Sequence, residues 1–168
     1  MAKKLLLLGI VVAMILVICF VLCSIREAKA IPLLHSVCFG MTPKQVMKQL
    51  GDYLDICQDI GGTDKTAYLY EISVLDCDAT VTCFFLNDQH LTEVEIRWDV
   101  NRPDVYDRAY SCLYEYYSNN KNFFTKESQH PDEKYVRTLI GIDDGVTGLF
   151  YSFYSTDDYI IILCTDNS

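Results

Sequence analysis

The residues best equipped for chemistry are the cysteines, histidines and paired acids, and their spacing is the first test of what they could do. Of eight cysteines, Cys19 and Cys23 belong to an apolar leader, leaving Cys38, Cys57, Cys77, Cys83, Cys112 and Cys164. An even set in an exported chain suits disulfides. Cys83, Cys112 and Cys164 lie inside apolar patterns and read as buried thiols. Cys38, Cys57 and Cys77 lie near predicted element ends, so they are the disulfide candidates. Zinc would want paired Cys-x-x-Cys or Cys/His spacing. Only His35-x-x-Cys38 approaches it, so no metal site and no cofactor are expected. His35, His90 and His130 each fall in a predicted turn without a patterned partner, and the acid pairs at 76–78, 143–144 and 157–158 read as turn formers. No G-x-S-x-G, H-E-x-x-H or phosphate-binding glycine loop occurs, so no enzyme is expected.

A second chemistry is recognition. The stretch "VYDRAYSCLYEYY", residues 105–117, holds five tyrosines, a residue type favoured in protein interfaces because an apolar ring carries a polar tip. At about 100° per residue, Val105, Ala109, Cys112, Leu113 and Tyr116 share one stripe, the expected core face. Tyr106, Tyr110, Tyr114 and Tyr117 form a stripe beside it. These four are the candidate binding residues for a protein partner; packing over the rim of the fold is the competing role.

The elements that must position these groups follow from periodicity. Residues 5–23 run without a charge, and at about 1.5 Å per residue they reach roughly 28 Å, the thickness of a bilayer core. An uncleaved membrane anchor over residues 1–30 fits this length. Two alternatives compete. One is a signal cleaved after Ala28-Lys29-Ala30, giving a secreted protein; the other is a lipoprotein signal, for which neither Cys19 nor Cys23 has the small residue required before it. Lys3 and Lys4 balance Arg26 and Lys29 across the segment, and the export-like start places the remainder, 31–168, outside the membrane.

That remainder is acidic. Four of the 14 Lys and Arg and one of the 23 Asp and Glu precede Ile31, leaving 10 against 22, a net charge of −12. Such a surface repels phosphate backbones, which excludes nucleic acid as a partner.

Thr42, Pro43 and Gln45 spell a helix start, with Gly51 as its break. Three strand patterns follow at 67–75, 79–86 and 91–99; the last alternates Thr92, Val94, Ile96 and Trp98 against Glu93, Glu95 and Arg97. The tyrosine helix comes next, then strand patterns at 135–142, 145–155 and 159–165, with turns at 143–145 and 155–158. The expected fold is α+β: an N-terminal transmembrane helix, then two α-β-β-β units, 31–100 and 101–168, forming an antiparallel sheet with both helices on one face.

"FGMTPKQVMKQLG", residues 39–51, is similar to the opening of two families: the β-lactamase inhibitor protein, with tandem helix-plus-sheet units, and the small lipoprotein of the outer-membrane barrel-assembly machinery. The resemblance implies one continuous curved sheet and a protein-binding role. The expected function is therefore a membrane-tethered, extracytoplasmic, non-enzymatic protein-binding module. A ligand sensor using the curved sheet as a cup is the alternative.

Overall fold

A computed structural model describes residues 12, 14, 15, 30–58, 60–98, 103–129, 136–143, 148–155 and 159–166. Apart from residues 12, 14, 15 and 30, the expected anchor lies outside these residues, as do His130, residues 144–145 and 156–158 of the two expected turns, and with them the acids at 144 and 157–158. Among the described residues no helix is long and apolar enough to cross a membrane.

The fold is α+β, dominated by one antiparallel sheet. Helix α1 (Pro43–Leu50) precedes strands β1 (Asp55–Cys57), β2 (Lys65–Val74), β3 (Cys77–Leu86) and β4 (His90–Trp98). Helix α2 (Pro103–Tyr117) precedes β5 (Phe123–Gln129), β6 (Val136–Asp143), β7 (Gly148–Ser155) and β8 (Ile160–Asp166). The eight strands lie in the order β1-β2-β3-β4-β8-β7-β6-β5. The halves therefore meet head to head through their last strands, with Val94 opposite Cys164 and Ile96 opposite Ile162.

Each half carries one strand more than its sequence pattern predicts. β1 is only three residues long. β5, "FFTKESQ", is an outer strand whose Thr125, Lys126 and Glu127 are exposed. An edge strand has one neighbour and is kept polar to discourage further pairing, so the usual apolar alternation is missing.

Local chemistry accounts for the joins. The expected capping box forms between Thr42 and Gln45, with the Thr42 N–H donating to Gln45 Oε1 at 2.8 Å. Gly51 ends α1 at φ +92°, a conformation that costs glycine little, while its N–H closes on Met47 O at 2.9 Å. Leu75 and Asp76 take φ of 54° and 57°, the two left-handed positions of a tight hairpin between β2 and β3.

Inward side chains of the sheet meet both helices in one core. A row across it, Cys83–Val94–Cys164–Tyr151–Ile140, follows the strand register and is at most 1% exposed throughout. A bulge in β4 corrects the strict alternation expected there. Phe84 pairs with Glu93 but Phe85 pairs with Leu91, so Thr92 is the extra residue and Leu91 takes the core position.

The α2 core face also departs from expectation. Val105, Ala109, Leu113 and Tyr117 are buried, whereas Tyr116 is 46% exposed and Cys112 half-buried. Tyr117, not Tyr116, closes the stripe. The buried residues are spaced four apart, and an i+4 row winds about 40° around the helix per step. A stripe drawn parallel to the axis selects the right side at the start of the helix and the wrong tyrosine at its end.

Candidate functional site

The helices cover one face of the sheet and leave the other to the outward side chains. Strand register puts Thr82, Glu95, Leu163, Ser152, Leu139 and Lys126 in one row across that face. Beside it runs Phe84, Glu93, Thr165, Phe150, Gly141 and Phe124. Phe84, Phe124, Leu139, Phe150, Ile161 and Leu163 are all partly exposed there. A sheet face of this kind is ordinarily polar when it faces only water.

Gly141 organises one side of the patch. It pairs with Phe124 on one strand and Phe150 on the other, and those two rings approach to 6.0 Å between centroids. Gly141 is buried between its two aromatic neighbours. Lacking a Cβ, it lets the rings converge above the backbone, as aromatic neighbours do over a sheet glycine.

Charged side chains, Glu71 and Lys126 among them, share this face. Lys65 Nζ binds Glu93 Oε2 at 3.0 Å, and Arg97 lies 5.1 Å from the centroid of the Tyr159 ring. Glu95 sits between Thr82 and Leu163 in the middle of the sheet. Desolvation raises its pKa; the positive charge of Arg97 pulls the other way and Glu93 adds to the rise. Desolvation prevails, because threonine and leucine side chains replace water around the carboxylate.

The four candidate tyrosines do not form one surface. Tyr117 is buried, and its hydroxyl lies 2.7 Å from that of Tyr151. The Tyr106 hydroxyl donates to Thr138 Oγ1 at 2.7 Å, and its ring packs edge-on against Phe153 at 5.3 Å. Tyr110 lies against Phe153 and stacks on Tyr114, both at 6.1 Å. Tyr114 is 45% exposed and leans on Phe123 at 5.4 Å. Three of the four thus contact the core, and Tyr114 bridges outward to β5.

Nor are the disulfide candidates brought together. All six cysteines of the domain are free thiols. Cys57 pairs with Ala67 near one end of β2, while Cys77 pairs with Val74 at the other. At about 3.3 Å per residue they are separated by more than 20 Å along the strand, against the roughly 7 Å limit between Cα atoms for a bridge. Cys38 pairs with Ala30 on the helix side of the sheet, whereas Cys57, exposed on β1, shares the outward register of Ala67. Cys77 Sγ instead accepts from Arg108 at 3.4 Å. The element-end rule fails here because ends near in sequence sit at opposite margins of a wide sheet.

His35 occupies a turn at φ 50°, and His90 Nδ1 lies 3.4 Å from the Gly40 carbonyl. Among the described residues no three His, Cys, Asp or Glu side chains are grouped to hold a metal. A cleft of about 260 Å³ lies between the turn Pro32–Leu34, the end of α1 and β2, lined by Leu33, Leu34, Leu50 and Ile72. A shallower groove follows the outer side of α2 past Arg108, Cys112 and Tyr116.

Glu95 and its apolar neighbours are the residues that sequence reasoning passes over. The alternation of β4 does assign Glu93, Glu95 and Arg97 to the outward face. The continuous apolar run "YIIILCT" of β8 hides that Ile161 and Leu163 share that face. Comparison with protein families, curated proteins and solved structures finds no match for this chain.

Proposed function

We propose that the protein is a membrane-tethered, extracytoplasmic, non-enzymatic binding module whose contact surface is the outward face of the sheet. Residues 5–23 supply the anchor, and the acidic domain stands outside the membrane. The observation that carries the reading is the partly exposed Leu163 opposite the desolvated Glu95, with Leu139, Phe150 and Phe124 farther along the same face. An apolar patch bordered by a charged group suits an interface. The partner is a protein presenting an apolar patch with a lysine or arginine addressed to Glu95.

Glu95 also gives the reading a thermodynamic signature. Its folded pKa is raised above the unfolded value, so the fold favours the protonated form. Its contribution is fully present below the unfolded pKa and is lost as pH rises through the folded one. At neutral pH the ionised carboxylate is therefore a cost to the free domain, and a cationic partner offsets it. Glu95→Gln stabilises the free protein at neutral pH and weakens the complex.

The test is a photo-crosslinking side chain placed at Leu163 in the full-length protein in intact membranes, with Tyr116 as the helix-side comparison. The expected result is a discrete protein adduct from position 163 that fades in the Glu95→Lys background. Adducts of equal yield from both positions, a lipid-sized adduct, or an adduct indifferent to Glu95→Lys would each remove this surface as the protein-docking face. A dimer-sized adduct would identify a second copy in place of a separate partner.

A further inference from the structure

The first described residue of the folded layer is Ala30, separated by six residues from the end of the apolar segment at Cys23. Ala30 pairs with Cys38, Ile31 is 0% exposed, and the Ile31 N–H donates to Val37 O at 2.9 Å. The Ala30 carbonyl meets two tyrosines from distant parts of the sequence. Tyr117 OH donates to it at 2.8 Å, and Tyr151 OH lies 3.4 Å away. The two hydroxyls are 2.7 Å apart. One proton arrangement uses the shorter contacts: Tyr151 donates to Tyr117, and Tyr117 donates to Ala30. The pair exists only in the folded domain, since Tyr117 ends α2 and Tyr151 lies within β7.

We propose that Tyr117 and Tyr151 form a clamp for the Ala30 peptide carbonyl, so that Ala30 belongs to the folded domain and the Ala30–Ile31 bond remains intact. Hydrolysis there adds water to the Ala30 carbonyl and breaks the C–N bond. Ala30 departs as a carboxylate, and Ile31 keeps an amine that is mostly protonated at neutral pH. The tyrosine pair then loses its covalently held acceptor, and an ammonium replaces an amide at a fully buried residue. Both changes oppose the fold.

The clamp sharpens the proposed tether, on which the next step rests. Six residues, Ser24–Lys29, separate Cys23 from Ala30. At no more than about 3.6 Å per residue, the seven steps from Cys23 span at most roughly 25 Å. A domain on that tether meets a partner lying at the membrane surface.

Intact mass and N-terminal sequencing of the protein recovered from its native membranes are the first measurement, with a start before Ile31 expected. The second is limited digestion of folded full-length protein in detergent. Trypsin is expected to trim as far as Ala30 by cutting after Lys29, whereas elastase spares the Ala30–Ile31 bond. Tyr117→Phe speeds elastase cleavage at that bond about tenfold without a matching rise at other sites. Tyr70→Phe, which removes another buried hydroxyl, leaves it unchanged. A native start at Ile31, or equal speeding at every site in Tyr117→Phe, overturns the clamp. Protein released from the membrane with Ala30 at its start overturns the tether while upholding the clamp.

Discussion

Adjacent tyrosines at the end of α2 make the sharpest available test of the packing. Tyr117 is 3% exposed and Tyr116 46%. Their rings touch edge-on at 4.8 Å, so each is the other's nearest control. Tyr117→Ala removes a buried ring, a change that costs about 3 to 5 kcal/mol for aromatic side chains. It also takes away the hydroxyl that links Tyr151 to Ala30, which places the expected loss at the upper end, about 4 to 5 kcal/mol. Tyr116→Ala removes a half-solvated ring and one aromatic contact, about 0.5 to 1.5 kcal/mol. For a domain of this size, 1 kcal/mol moves the melting temperature by roughly 3 °C. The variants should therefore melt about 12 to 15 °C and at most about 5 °C below the parent. The assay is thermal and urea unfolding of the full-length protein in detergent, followed by near-ultraviolet circular dichroism. Equal losses, or a larger loss at Tyr116, would refute the oblique i+4 core stripe and with it the position of α2 on the sheet.

Burial raises the pKa of the Tyr70, Tyr117 and Tyr151 hydroxyls, with desolvation the largest cause at each. Unfolded tyrosines release their protons near pH 10 while these retain theirs, so the native state binds more protons in alkali and stability falls as pH rises above about 10. Tyrosinate absorbance should show the three ionising only with unfolding; their titration in the intact fold would contradict the burial. Thiol labelling offers an independent check, since Cys57 is exposed whereas burial pushes the Cys83 thiol up to about 12 and also raises Cys164. Under native conditions Cys57 should react with a thiolate-directed reagent while Cys83 and Cys164 wait for unfolding; modification of Cys83 at the Cys57 rate would refute the inward register of β3.

Much of the sheet was legible because its middle strands obey one rule at a time. Val94, Ile96 and Trp98 alternate with Glu95 and Arg97, and both the faces and the antiparallel order follow. The α1 start is equally local: Thr42, Pro43 and Gln45 need only one another. What escaped depends on partners distant in sequence. β5 has a polar pattern because only one side of it is paired, and nothing within "FFTKESQ" announces β6. The bulge at Thr92 becomes visible only when Phe84 and Phe85 are set against β4. Tyr116 and Tyr117 differ by a single helical step, and the oblique course of the α2 core stripe decides between them. The cysteines failed for a related reason: local position says where a chain turns, but a disulfide requires two ends of the sheet to coincide.

The same distinction underlies the proposal that recognition falls on the outward face. The helix tyrosines have partners within the domain: Thr138 and Phe153 for Tyr106, Phe123 for Tyr114, and Ala30 with Tyr151 for Tyr117. Their amphipathic chemistry is already used in packing. Glu95 is the opposite case. A polar residue between Thr82 and Leu163 would serve the sheet without charge, yet the position carries a carboxylate whose ionised form is desolvated. Lys65 is held by Glu93, and the attraction of Arg97 is too small to reverse the shift. An apolar patch alone could be a packing imperfection, and an acidic residue alone could be ordinary surface charge. Together they support the proposed partner: a cation that arrives with an apolar surface around it.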